Sequence, residues 1–334
     1  MLRRALKDNR LSLDISAMGP TALGRMPSAF ALRWLETLTL VLIAGIWSTS
    51  AHPASDGPRL TAIVSAFAPE MAVLRTDLED AASQPINGVE FVTGRLEGRE
   101  VVLFLSGISM VNAAMTVQLA LDHFPIDRVV FSGIAGGVDP ELDIGDVVVA
   151  ERWGQYLESV FARNVGEDWE TPPFFEYPYA NFGMMFPRSV TLARAGEAEL
   201  ETRFWFPADK TMLSQARRAA AGIELERCTE EGSCLPQAPK IVIGGSGVSG
   251  GAFIDNAAFR DYAFRTFGAR VLDMESAAAA HVARANGVPF IAVRSLSDLA
   301  GGSEQANRLE VFFHLAADNA ARVVKALLRE MSDG

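Results

Sequence analysis

The stretch from Val271 to Ala300, VLDMESAAAAHVARANGVPFIAVRSLSDLA, decides the fold. Val271 and Leu272 close one strand, and the apolar run Pro289–Val293 begins another. Between them, Ser276–Asn286 is rich in Ala and contains no Gly or Pro, which predicts a helix. Gly287 stands where a helix end wants a residue tolerant of positive φ, and Pro289 forbids continuation. A strand–helix–strand unit this compact predicts two parallel strands. A right-handed crossover would set their C-terminal ends side by side.

Each of those strands ends in a carboxylate. Glu275 follows the first at the helix N-terminus, and Asp298 follows the second, just past Arg294 and Ser297. Open parallel α/β sheets bind ligands outside the carboxyl ends of their strands. Two acids and an arginine there are the material for general acid–base chemistry on a small polar molecule. Taken singly, Glu275 reads as a first-turn acid favoured by the helix dipole and Asp298 as a loop residue. As a pair at one sheet edge they favour a site.

Working outward, Leu60–Phe67 reads as a buried strand, and Ala68-Pro69-Glu70 starts a helix with Pro in its first turn. Glu70 therefore occupies another strand-to-helix junction. Val89–Leu96 and Val101–Ser106 read as a hairpin, and a helix follows Gly107 to near His123. Arg128–Gly137 is a strand running into a Gly-rich turn, and Gly145–Ala150 is a further strand. This alternation predicts one α/β domain over residues 58–330, with a central, mostly parallel twisted sheet flanked by helices. Regularity fails between about 151 and 240, where WETPPFFEYPYANFGMMFP concentrates aromatics and prolines. That insertion reads either as a lid or as an oligomer contact. Within it, Lys210–Ala221 is a predicted helix. Ile241–Ile243 resumes as a strand before GGSGVSGGAFIDN, a Gly-rich loop without the GxGxxG or Lys-Ser/Thr of a phosphate cradle. Leu309–Leu328 closes the domain as an amphipathic helix.

The 334 residues, 49% of them hydrophobic, suit one large domain or at most two. A net charge of −11 repels phosphodiester backbones, so no nucleic-acid partner is expected, whereas a small neutral or cationic ligand is not disfavoured. Near the N-terminus, Arg33 precedes an apolar run, Thr37–Trp47, and Thr49-Ser50-Ala51 follows it. The run is shorter than the roughly 20 residues that span a bilayer. It reads as a secretory signal occupying residues 1–51, with Met26 as a start that gives normal length; Glu36 is an imperfection, and a buried N-terminal helix is the alternative. Cleavage after Ala51 leaves a net charge of −14, a periplasmic or secreted location and no membrane insertion. In an oxidising compartment, Cys228 and Cys234, six apart in RCTEEGSCLP, are a plausible disulfide, worth about 2 kcal/mol on the loop-entropy model. Two thiols without a nearby His or further Cys cannot complete a metal shell, so no metal is expected.

Taken together, SAFAPE (65–70), SGISMVNAA (106–114), SGIAGGVDPELDIGDVVV (132–149), SGGAFID (249–255), VLDMES (271–276) and AVRSLSD (292–298) resemble the nucleoside phosphorylase/nucleosidase superfamily, in its order. Within it, the chain looks most like the methylthioadenosine/S-adenosylhomocysteine nucleosidases, and its cysteine loop resembles the secreted branch that includes plant bark storage proteins. The resemblance implies that Asp298 protonates N7 of a departing purine, with Ser297 holding its carboxylate. It places Glu275 on the ribose hydroxyls and Met274 against the sugar face. Phe253 would stack on the base, Ile254 would present backbone groups to its edge, and Ala135 and Gly136 would border the substrate. Glu70, supported by Arg294, would orient and deprotonate water. No cofactor is implied, and an oligomer of identical chains is expected. The residue types suit an oxocarbenium-like transition state, which needs an acid at the base and carboxylates near the sugar. Two departures stand out: Ile134 replaces the Ser usual in the SAGG turn, and no Asp precedes Ala252-Phe253.

Hydrolysis of purine nucleosides (5′-methylthioadenosine, S-adenosylhomocysteine or adenosine) is therefore expected. A phosphate-dependent phosphorylase is the first rival, disfavoured because acidic Glu70 would repel phosphate, which needs several cationic donors. A non-catalytic nucleoside-binding or storage protein is the second. It would require none of Glu70, Glu275, Arg294 and Asp298.

Overall fold

The computed structural model describes residues 58–302 and 308–331, all within one compact unit, Ser55–Gly334. The signal-like run and Met26 lie outside the described residues. Short, fully apolar runs become buried strands and Ala-rich or amphipathic runs become helices. In chain order these are β1 (Leu60–Ser65), α1 (Ala68–Thr76), β2 (Glu79–Ile86), β3 (Val89–Leu96), β4 (Arg99–Leu105), α2 (Met110–His123), β5 (Ile126–Gly137), β6 (Val147–Val149) and β7 (Arg152–Gln155). There follow β8 (Trp205–Pro207), α3 (Lys210–Ala220), β9 (Ile241–Ile243), β10 (Ser246–Ser249), α4 (Ala257–Phe267), β11 (Ala269–Asp273), α5 (Ser276–Asn286), β12 (Phe290–Asp298) and α6 (Leu309–Glu330).

These twelve strands form one sheet in the order β8-β7-β10-β11-β5-β1-β4-β3-β2, with β12 paired to both β5 and β6, and β9 to β6. One face is covered by α2 and α5 over a core containing Val117, Ala120, Ala279, Phe131 and Phe290. The other is covered by α1, α3 and α6 over Met71, Leu74, Leu213, Ala320 and Leu327. Helix α5 spans Ser276–Asn286 as its composition predicts, and Gly287 ends it at φ 71°. No helix of the described residues is long and apolar enough to cross a membrane.

The sheet is mixed with parallel pairing in the majority: among the described residues six of its eleven strand pairings are parallel. Two expectations are corrected. The strands β11 and β12 do not pair side by side. Both flank the end of β5, β12 running parallel to it (Asp298 opposite Gly136) and β11 antiparallel (Leu272 opposite Gly136). The glycines at the end of β5 allow this crowding. A Cβ on Gly137 would lie 2.8 Å from Leu296 Cδ1, and one on Gly136 would press on Asp298 Oδ1 at 3.3 Å. Finally, the Gly-rich stretch after Ile243 contains a wholly buried strand, β10, between β7 and β11. Its glycines answer to ring packing, since a Cβ on Gly247 would sit 2.6 Å from the Trp153 indole.

Within the insertion, β7 and β8 extend the edge of the sheet, and three short antiparallel ladders lie between them: Ser159–Phe161 with Met185–Pro187, Arg163–Val165 with Asp168–Glu170, and Val190–Leu192 with Glu201–Arg203. Cys228 and Cys234 are bonded, with Cα atoms 4.0 Å apart.

Candidate active site

Four strand ends converge on one cavity of about 320 Å³. Glu70, Ala135, Gly136, Phe253, Ile254, Met274, Glu275, Ser297 and Asp298 all line it. Arg294, the remaining residue singled out in the sequence, lies behind the lining with no exposed surface. No residue of the insertion lines this cavity among the described residues.

Arg294 organises one end. Its guanidinium lies 4.3 Å above the Phe131 ring and faces three carboxylates: Asp273 at 2.7 Å, Glu275 at 3.4 Å and Glu70 at 3.7 Å. Nε has its aligned acceptor in Ser276 Oγ, 2.9 Å away, so Asp273 Oδ2 faces the guanidinium chiefly as a charge. Burial opposes the charge on Arg294, but Asp273, Glu275 and Glu70 together more than offset this and raise its pKa. A Cβ at Gly133 would overlap Arg294 Nη1 and Glu70 Oε1, so only glycine lets β5 pass the cluster.

Glu70 is held by main-chain donors. Oε2 accepts from Ala66 N at 2.6 Å and Phe67 N at 3.3 Å, and Oε1 accepts from Ile134 N at 2.8 Å. The residue thus caps α1 as well as facing the cavity. Burial pushes its pKa above the usual carboxylate range, with Arg294 and the three N–H donors pulling the other way. Glu275 Oε1 accepts from Ser109 N at 2.7 Å, and burial raises its pKa to about 7 against the pull of Arg294.

Asp298 occupies a separate position. Its Oδ1 accepts from Ala300 N at 2.8 Å, and Ser297 Oγ lies 3.1 Å from Oδ2 and 3.3 Å from Ala135 O. Phe253, 57% exposed, stands at the cavity rim, where a planar ligand could lie against it. Ile134 lines the cavity, and its main chain serves Glu70 and Arg294. At the other departure, a Cβ on Gly251 would meet only Ser109 Oγ, at 3.7 Å.

Two participants escape the sequence reading. Asp273 Oδ1 accepts from Ser249 Oγ and from the N–H groups of Glu275 and Ser276, both at 3.2 Å, so it also caps α5. The signal for it was the i, i+2 spacing of Asp273 and Glu275, which directs two acids to one side of an extended segment. Ser109 adopts φ 83°, a conformation costly for a non-glycine residue, in order to deliver its N–H to Glu275. Nothing local predicts that strain.

Residues 61–329 match the phosphorylase superfamily. The chain is 32% identical over 272 residues to a 5′-methylthioadenosine/S-adenosylhomocysteine nucleosidase of Geobacillus kaustophilus, covering 81% of this chain and 97% of that protein. It is 30% identical to the Marinomonas protein of the same name, covering 80% and 97%. Among solved structures, the Neisseria meningitidis nucleosidase in complex with methylthio-immucillin-A superposes with a TM-score of 0.61 at 23% identity, over 82% of this chain and all of that one. The Colwellia psychrerythraea nucleosidase in complex with adenine gives 0.60 at 25%, over 82% and 96%. With the match running nearly the length of the folded unit, the chain belongs to the phosphorylase superfamily.

Proposed function

We propose that the protein hydrolyses the N-glycosidic bond of purine nucleosides, 5′-methylthioadenosine, S-adenosylhomocysteine or adenosine, releasing the base and a free sugar. The observation that carries this is the placement of Asp298 and of the Glu70–Arg294–Glu275 cluster on one largely apolar cavity. Asp298 gives its proton to N7, so the purine leaves neutral rather than as an anion. Glu275 holds the ribose hydroxyls while positive charge grows on the sugar, and Met274 packs on the sugar face. Glu70, oriented by its three N–H donors and by Arg294, takes a proton from the attacking water. Phe253 and Ile254 hold the base.

Hydrolysis is preferred to phosphorolysis on electrostatic grounds. No Lys or Arg lines the cavity among the described residues, and Arg294 behind it already faces three carboxylates. An incoming phosphate dianion would meet net negative charge. Chromatography of a nucleoside panel, with and without phosphate, should show free ribose sugar and base at every phosphate concentration. Strict phosphate dependence would move the protein to the phosphorylases, and no release from any nucleoside would make it a binding or storage protein.

Export to the periplasm or medium is part of this reading, supported by the signal-like N-terminus and the Cys228–Cys234 bond. Intact mass of protein from its native compartment should place the mature N-terminus near His52; the full chain recovered from cytoplasm with two thiols would refute export. Association of identical chains is supported by the exposed row Leu105, Ile108, Val111 and Met115, of which Ile108 also lines the cavity. Light scattering of the purified protein reads the oligomeric state directly, and a monomer at assay concentration would exclude association.

A further inference from the structure

Resting on the proposed hydrolysis, we propose that the disulfide-clipped hairpin around Cys228–Cys234 is a positioning element for Asp298, acting through Leu235 and the turn at Gly145-Asp146. The hairpin is a short ladder. Thr229 N donates to Ser233 O at 2.8 Å and Leu235 N to Arg227 O at 2.8 Å, with the bonded cysteines paired between them. The Arg227 side chain donates to Leu235 O at 2.7 Å and to Pro236 O at 2.8 Å, tying down the outgoing arm. That arm then turns inward. Leu235 is 3% exposed and packs with Phe312, Leu315 and Ile144. It lies so close to Gly145 that any Cβ there would overlap its Cδ1.

The turn it presses on is bonded to the strand that carries the acid. Gly145 N donates to Leu296 O at 2.7 Å, and Leu296 N donates to Asp146 O at 2.8 Å, two residues before Asp298. At the arm's far end, Lys240 N donates to Asp146 Oδ1 at 2.9 Å, so both ends of segment 235–240 grip the same turn. Leu235, Pro236 and Pro239 also line a second cavity of about 240 Å³ that Asp298 and Leu299 line too. The hairpin itself lies outside the nucleoside cavity, which none of its residues lines.

A proton donor that shifts by a fraction of an ångström loses transfer efficiency before it loses ligand binding. The test compares two compounds, adenosine and 4-nitrophenyl β-D-ribofuranoside, whose nitrophenolate leaves as an anion and needs no acid. In Cys228→Ser/Cys234→Ser, and separately in Leu235→Ala, kcat on adenosine should fall about tenfold or more with KM within about twofold. Cleavage of the nitrophenyl riboside should stay within about twofold of wild type, the pattern Asp298→Asn itself should show. Should the double variant fail to fold, the bond is opened in folded wild type with a phosphine: the bridge and one water yield two thiols and the phosphine oxide. Unchanged kcat on adenosine, or equal loss on both compounds, overturns the positioning role. Wild type that cleaves neither compound overturns this role and the proposed hydrolysis together, which separates the two failures.

Discussion

Asp298→Asn should lower kcat for purine nucleosides by about 10²- to 10⁴-fold, the range for a positioned acid. A purine leaves poorly as an anion, and asparagine can offer N7 a hydrogen bond but no proton. The substitution suits the site otherwise. The amide oxygen can still accept from Ala300 N, and the amide nitrogen can face Ser297 Oγ, so the bonds at 2.8 and 3.1 Å have replacements. Nucleoside affinity should therefore stay near wild type, because Phe253 and Glu275 are untouched, and Tm should shift little. Glu275→Gln should instead raise KM and lower kcat together, since that carboxylate is assigned to the sugar in ground and transition states. Steady-state kinetics, equilibrium binding and thermal melting on the two variants separate these roles from misfolding. Wild-type turnover in Asp298→Asn would place the acid elsewhere.

Glu70→Gln should show a comparable loss of kcat, about 10²- to 10⁴-fold for a lost general base, with a different structural signature. Glu70 offers an acceptor at each oxygen, to Ile134 on one side and to Ala66 and Phe67 on the other. An amide must turn its NH₂ towards one of those N–H groups, leaving a buried donor unsatisfied at about 1–3 kcal/mol. A lowered Tm should therefore accompany the kinetic loss, as it should not for Asp298→Asn. Burial raises the pKa of Glu70, and that of Glu275 to about 7, and a base acts only when ionised. Wild-type kcat/KM should accordingly fall as pH drops through the neutral range, above the usual carboxylate titration, and the acid limb should be altered in Glu70→Gln. Turnover within tenfold of wild type would transfer water activation to another group, with Asp273 the nearest alternative beside Arg294.

What the sequence determined by itself was local. Ala-rich Ser276–Asn286 followed by Gly287 and Pro289 specifies a helix and its end from propensity and backbone stereochemistry alone. Pro69 and Glu70 mark a helix start for the same reason. The resemblance carried by SAFAPE, SGIAGG, SGGAFID, VLDMES and AVRSLSD singles out nine cavity-lining residues and Arg294. Tertiary structure decided what distance along the chain hides. The order of strands follows from which apolar faces bury each other, and this set β5 between β11 and β12 and made the sheet mixed. The requirement that a buried guanidinium be surrounded by opposite charge brought in Asp273, two residues from an acid already singled out. The positive φ of Ser109 accompanies a hydrogen bond from its N–H to Glu275, 166 residues away. The cysteine pair was visible as a possible bond closing a small loop, but its reach towards Asp298 arises only when Leu235 meets Gly145 in the folded core. Propensity acts between neighbours in sequence, whereas desolvation and packing act between neighbours in space.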